Sequence, residues 1–255
     1  MLNQISSAAR EAGRMMLQCQ DAAIHRKEGH FNYVTDTDVA VQQFLRKELL
    51  CQLPGSRFFA EEQENDPLTD APTFVVDPID GTMNFMRRRG ASAVSIGLLE
   101  KKKPVIGVIY DPYRDEMFTA VAGKGAYLNG RGISVSQTPF DQAMVDFGTS
   151  PYDADLTQRS LNAAGLFLAR AGDLRRSGSA AIDLCEVACG RADVLFELRL
   201  RPWDVAAGSL LVTEAGGVFR SLGHEAPYYE GPCGILACNA LCEGPAMDIM
   251  REVLL

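Results

Sequence analysis

No stretch of the 255-residue chain approaches the roughly 18–20 consecutive apolar residues that a membrane span requires. The opening Met1-Leu2-Asn3-Gln4-Ile5 also lacks the basic-then-apolar order of a signal peptide. Histidine is scarce, with three residues, and no CxxC pair occurs. A zinc site is therefore not expected, although Cys185 and Cys189 stand four apart and could share a helix face. The seven cysteines are an odd number in a chain large enough to fold without disulfides, which predicts reduced thiols and a cytoplasmic setting. Positive charge is in deficit: 25 basic against 33 acidic residues, a net charge of −8. A sequence-tolerant nucleic-acid binder is normally basic, so the balance argues against nucleic acid as a partner. An anionic ligand would need bound cations or a local positive field. Glycine (23) and proline (12) are near average, which excludes collagen-like and low-complexity chains.

What is present is an ordinary globular composition, 47% apolar and 23% charged. At about 150 residues per domain, the length allows one large domain or two small ones. Leu2, Ile5, Ala9, Ala12, Met16 and Cys19 recur at spacings of three and four, predicting an amphipathic helix over 2–22. Residues 25–35 break that period and read as a loop. A second helix follows, capped by Thr35 or Asp36, with Val41, Phe44, Leu45 and Leu49 on its apolar face and Pro54-Gly55 at its end. Short strands are then predicted at 57–60, 73–77, 92–99, 104–110 and 116–122, and Asn129-Gly130 is a hairpin-turn signal. From about residue 140, strands at 144–147, 193–196, 217–220 and 235–238 alternate with helices at 157–171, 179–190, 203–215 and 243–254. That is an α/β rhythm. The chain thus divides into an α+β half, 1–138, and an α/β half, 139–255.

The densest chemistry lies in Phe74-Val75-Val76-Asp77-Pro78-Ile79-Asp80-Gly81-Thr82-Met83-Asn84-Phe85. A β-branched run ends in Asp77, Pro78 stops the strand, Gly81 turns the backbone, and Thr82 is suited to capping a helical turn. Two carboxylates three residues apart would stand beside free N–H groups. Hard divalent cations want oxygen ligands, and phosphate wants N–H donors. Three further carboxylate positions sit in matching contexts. Glu61-Glu62 follow the strand Phe58-Phe59-Ala60, Asp204 opens a small-residue helix in Arg201-Pro202-Trp203-Asp204-Val205-Ala206-Ala207-Gly208, and Asp38 lies in the first turn of the second helix. Each alone reads as a solvated strand end or a helix-dipole partner. Four clusters at element termini fit a multi-metal site better.

Ala60-Glu61-Glu62-Gln63, the Asp77–Phe85 segment and Arg201–Gly208, in this order and separation, closely resemble the inositol monophosphatase family of Mg-dependent, lithium-sensitive phosphatases. The likeness spans nearly the whole chain, including Val34–Asp38, the Tyr110–Gly130 hairpin region and Thr213-Glu214-Ala215-Gly216-Gly217. The resemblance implies a layered αβαβα sandwich of the sugar-phosphatase type and two or three Mg²⁺ ions. It implies that Glu61, Asp77 and the carbonyl of Ile79 hold one ion and that Asp77, Asp80 and Asp204 hold a second. A weaker third would lie near Glu61. Asp38 and Thr82 would orient the attacking water, with Asp38, Glu61 and Thr82 as the catalytic group. The N–H groups of Gly81 and Thr82 would bind phosphate. Asp80, the backbone at Ala180, Glu197 and Asp204 would line the substrate. Lys27 falls in a loop that closes over the metals in the family. Hydrolysis of a phosphate monoester needs enhancements of up to roughly 10²¹, which two Mg²⁺ ions supply by activating water and stabilising the leaving alkoxide.

The resemblance also has departures. Ala60 stands where Gly is usual, Asn32 where Asp is common, and Met86-Arg87-Arg88-Arg89-Gly90-Ala91 lacks the usual aromatic-proline character. The three arginines read as a solvated patch or as a preference for a more anionic substrate. The expected reaction is Mg²⁺-dependent hydrolysis of inositol monophosphate or a similar polyol or sugar phosphate, in a cytoplasmic homodimer away from membranes. Rivals are fructose-1,6-bisphosphatase, histidinol-phosphatase and 3′-phosphoadenosine-5′-phosphate phosphatase. Thr82-Met83-Asn84-Phe85 resembles the inositol and sugar branch. A regulatory protein that binds the transcription machinery is the alternative outside enzymes.

Overall fold

Successive side chains of the central strands face opposite layers with the two-residue period of a pleated sheet, and this alternation sorts the core into three clusters. In chain order the elements are α1 (Leu2–Gln18), β1 (Ile24–Arg26), β2 (Tyr33–Thr35), α2 (Asp36–Gln52), β3 (Arg57–Ala60), β4 (Thr73–Asp80) and α3 (Thr82–Met86). Then come β5 (Ala93–Glu100), β6 (Lys103–Asp111), β7 (Glu116–Val121), β8 (Ala126–Leu128) and β9 (Arg131–Ile133). The remainder is β10 (Met144–Phe147), α4 (Ala154–Arg170), β11 (Asp173–Arg175), α5 (Ala180–Ala188), β12 (Val194–Leu200), α6 (Pro202–Glu214), β13 (Val218–Leu222), β14 (Cys233–Cys238) and α7 (Glu243–Leu254). The computed structural model describes residues 1–19, 23–26, 33–225 and 227–254.

Strands β3 to β9 form a seven-stranded sheet in sequential order, with β3 parallel to β4 and every later neighbour antiparallel. A five-stranded mixed sheet runs β11-β10-β12-β14-β13. Phe74 and Val76 of β4 face a core shared with Ile5, Leu45 and Leu49 of α1 and α2. Val75, between them, faces a middle core with Leu184 of α5 and Leu211 of α6. On the second sheet Leu195 and Ile235 face that middle core, while Val194, Phe196 and Leu236 face Phe167 of α4 and Ile249 of α7. The layers are therefore αβαβα, as the resemblance implied.

Local chemistry accounts for most boundaries. Thr35 caps α2: its hydroxyl accepts from the Asp38 N–H, and Asp38 accepts from the Thr35 N–H, a reciprocal box. Asn129 and Gly130 take φ of 49° and 77°, the left-handed pair that joins β8 to β9. Three expectations need correction. Residues 24–26 and 33–35 pair as antiparallel strands instead of forming a loop. Strand β1 is exposed throughout, so no hydrophobic alternation marks it. Helix α1 ends at Gln18, and residues 20–22 lie outside the described residues. Strand β4 does not stop at Asp77; it continues to Asp80 with a register shift between the two. Pro78 lacks an N–H for the ladder, and the bulge accommodates it without leaving extended backbone.

Candidate active site

The bulge in β4 aims two acids at one point. Asp77 and Asp80 are 2% and 8% exposed, and the Ile79 side chain between them is fully buried in the outer core. The Ile79 N–H donates to Asp77 Oδ1 at 3.0 Å, while its carbonyl accepts from Thr82 Oγ1 at 3.2 Å. Gly81 follows at φ 87°, where a Cβ would press to 3.0 Å on the Ala91 carbonyl. Gly81 is itself the cap of α3, and Thr82 is its first residue instead of its cap. The Thr82 hydroxyl is thereby released to donate to Asp38 Oδ1 at 3.3 Å. As residues at a helix start, Gly81 and Thr82 have N–H groups without intrahelical acceptors.

Other elements bring the remaining acids to this point. The parallel pairing of β3 with β4 carries Glu61 to the level of Asp77, and its N–H donates to the Val76 carbonyl at 3.3 Å. Asp204 is the third residue of α6, after Pro202 at the first position. One carboxylate oxygen from each of Asp77, Asp80 and Asp204 lies within 4.8 Å of the others.

Each acid is tethered through one oxygen. Asp77 uses Oδ1 for the Ile79 N–H. Asp204 uses Oδ2 for the Arg201 N–H at 2.6 Å. Asp80 uses Oδ2 for the Ser179 hydroxyl at 2.5 Å and the Ala181 N–H at 2.6 Å. Asp38 uses Oδ2 for the Thr35 N–H at 2.8 Å and the Thr35 hydroxyl. Among the described residues, the second oxygens of Asp77 and Asp204 have no further protein donor.

Burial and mutual repulsion make this arrangement costly as bare anions. Burial, then the charges of Glu61, Asp80 and Asp204, holds the Asp77 carboxyl well above the usual carboxylate range. Asp204 is displaced in the same direction by burial and by Asp80 and Glu61. Burial pushes Asp80 up to about 6, against the lowering effect of its Ser179 and Ala181 donors. Asp38 is raised, chiefly by burial. A hard, oxygen-liganded cation relieves that repulsion, and it finds pre-aimed carboxylate oxygens here without a soft ligand among them. The donor set fits Mg²⁺.

The inositol monophosphatase family model matches residues 1–251. The chain belongs to the inositol monophosphatase family. Inositol monophosphatase 2 of Solanum lycopersicum is 43% identical over 223 residues, 83% of this chain and 83% of that protein. The Nus factor SuhB of Xylella fastidiosa is 39% identical over 250 residues, covering 93% and 90% of the two chains. The solved inositol monophosphatase of Anabaena (Nostoc) sp. PCC 7120 superposes with a TM-score of 0.86 at 33% identity, covering 98% of this chain and 95% of that one. Family and relatives mark this inositol monophosphatase relative as a phosphatase.

The other anticipated residues divide into three groups. Ala180 opens α5, and its N–H is directed at the Asp80 carboxylate together with that of Ala181. Glu197 is half-buried in β12, with burial and the Asp80 charge raising its carboxyl to about 7. Lys27 and Asn32 lie outside the described residues. Arg87, Arg88 and Arg89 follow α3 on the exposed surface. Two members of the site went unnoticed in the sequence. Ser179 caps α5 and binds Asp80; its place before Ala-Ala-Ile-Asp was a readable capping signal. Asn84 donates from Nδ2 to the carbonyls of Ala91 and Ser177 at 2.8 and 3.0 Å, tying α3 to the segment before α5. Nothing local announces that second contact.

Proposed function

We propose that this phosphatase hydrolyses the monoester of a small polyol, with inositol monophosphate as its type, and that Mg²⁺ is required. The observation that carries the reading is the convergence of Asp77, Asp80 and Asp204 beside the Asp38–Thr82 pair. Glu61, Asp77 and the Ile79 carbonyl hold one ion; Asp77, Asp80 and Asp204 hold a second; Glu61 faces a weaker third. Bound Mg²⁺ supplies charge neutralisation for the phosphoryl group and acidifies water.

The chain's own groups do the positioning. Asp38 and Thr82 hold the attacking water in line with phosphorus. Asp38 is held in turn by Thr35 through Oδ2, so Oδ1, which accepts from Thr82, keeps one direction. The N–H groups at the start of α3 receive the phosphate oxygens. Glu197 accepts hydrogen bonds from hydroxyls of the polyol, where a second phosphate would meet like charge. Asp80 is shared between metal and substrate side. Residues 1–138 supply most ligands, residues 139–255 supply Asp204, Ala180 and Glu197, and two chains form a homodimer in the cytoplasm.

The deciding experiment is a phosphatase screen over inositol 1-phosphate, fructose 1,6-bisphosphate, histidinol phosphate and 3′-phosphoadenosine 5′-phosphate, with Mg²⁺ and with excess EDTA. The expected outcome is a preference for inositol 1-phosphate that vanishes with chelator. A tenfold preference for either bisphosphate overturns the polyol assignment, and full activity in EDTA overturns the metal mechanism. Similarity to a protein named as a Nus factor favours a second reading, binding to the transcription machinery. Copurification with RNA polymerase tests it.

A further inference from the structure

Glu197 does not stand in open space; the turn after β10 is built around it. Phe147, the last residue of β10, pairs in register with Phe196, and their rings stack at 5.7 Å. The Gly148 N–H donates to the Phe196 carbonyl at 3.1 Å. The chain at Gly148 therefore lies directly against the residue preceding Glu197. A Cβ built on Gly148 would fall well inside 3.0 Å of the Glu197 Cδ and of both carboxylate oxygens. Gly148 is absent from the glycines with positive φ, so its backbone does not demand glycine. The demand is for space, and the carboxylate of Glu197 fills it.

Two residues later the same turn brings a backbone N–H toward that carboxylate. The Ser150 N–H points to the Glu197 carboxylate. Ser150 adopts φ 43°, a left-handed conformation uncommon for a non-glycine residue. Its carbonyl is held there by the Asp153 N–H and the Thr157 hydroxyl, each at 3.1 Å. The turn is thus fastened to β12 at one end and to α4 at the other, with Glu197 between.

We infer that Gly148 is a positioning element that sets substrate selectivity, by leaving the space that fixes the Glu197 carboxylate at the polyol face of the site. The inference rests on the reading of Glu197 as acceptor for substrate hydroxyls. Gly148 provides the volume the carboxylate occupies. A methyl group at Gly148 displaces the carboxylate while leaving Asp77, Asp80, Asp204, Asp38 and Thr82 in place.

The test is a double-mutant cycle with Gly148→Ala, Glu197→Ala and the pair, measured on inositol 1-phosphate and p-nitrophenyl phosphate with Mg²⁺. Gly148→Ala is expected to lower kcat/KM for inositol 1-phosphate about tenfold to hundredfold, with p-nitrophenyl phosphate changed less than about twofold. In the Glu197→Ala background, the same substitution should cost nothing further, because the collision is gone. An equal loss on both esters, or an undiminished loss in that background, overturns the positioning role. If Gly148→Ala alone does not fold, a folded double variant supports the collision, and an unfolded one overturns it. If Glu197→Ala itself leaves the ratio between the two esters unchanged, the underlying reading of Glu197 fails instead, a result distinct from failure of Gly148.

Discussion

Asp80 at the end of β4 caps the N-terminus of α5, accepting from the Ala181 N–H at 2.6 Å across 101 residues of chain. The same oxygen accepts from the Ser179 hydroxyl at 2.5 Å. A residue expected to serve a metal therefore also ties the seven-stranded sheet to α5 of the middle layer. Both of these contacts use Oδ2. A helix N-terminus is a favourable place for a carboxylate, which explains how Asp80 is kept aimed while buried.

That bond gives a stability prediction. The Ser179 hydroxyl donates to Asp80 and also accepts from the Ile182 N–H at 3.3 Å. Ser179→Ala removes both contacts and leaves a buried carboxylate short of a donor. Urea unfolding of the metal-free protein should show a loss of about 1–3 kcal/mol. A change below about 0.5 kcal/mol would mean that water replaces the hydroxyl without cost.

Asp77 has a large electrostatic stake in a cation, since Glu61, Asp80, Asp204 and Asp38 all press on it. Asp77→Asn should fold normally and lose roughly two decades or more of turnover. Titration with MgCl₂ should raise the melting temperature of the wild type and leave that of Asp77→Asn nearly unmoved. Equal Mg²⁺-induced shifts in both proteins would place the ion elsewhere.

The Thr82 hydroxyl bridges the Ile79 carbonyl and Asp38 Oδ1 at 3.2 and 3.3 Å. A contact that orients water matters most in the transition state. Thr82→Ala should therefore lower kcat by roughly tenfold to hundredfold with little change in KM, and Thr82→Ser should retain most of it. A raised KM at unchanged kcat would assign Thr82 to ground-state binding. Millimolar LiCl is expected to inhibit the wild type, which an inhibition titration measures directly.

Asp146, on β10, is 6% exposed and is not among the proposed ligands. Burial first, and the Glu186 charge second, raise its carboxyl to about 7, with Arg175 opposing. Asp183 beside it is raised as well, by burial and by the Asp146 charge. Folded Asp146 therefore keeps its proton through a window, from about pH 4 upward, in which the unfolded chain has lost it. Folding binds a proton there, so stability falls as pH rises through that window. Asp146→Asn removes the loss: it should melt roughly 5 °C or more above the wild type at pH 8, with the gap closing toward pH 4. Parallel melting curves across that range would show that Asp146 does not titrate as its surroundings dictate.

What the sequence determined by itself is what neighbours along the chain decide. The strand-turn-helix from Phe74 to Phe85 is legible because β-branched residues, Pro78, Gly81 and Thr82 act on adjacent dihedrals. Thr35 and Asp38 announce the start of α2 in the same way. The remaining ligands, Glu61 and Asp204, were joined to that segment by resemblance, since nothing in residues 62–76 or 83–203 states that their ends converge. Only the tertiary structure decided the rest. It gave Asp80 a second duty on α5, released the Thr82 hydroxyl toward Asp38, carried β4 past Pro78 through a bulge, and set Gly148 against the Glu197 carboxylate. Each of these depends on groups far apart in the chain, or on a ladder that overrides a local stop. Contacts of that kind are set by how the three layers pack, and a packing distance has no signature in the order of the residues that meet across it.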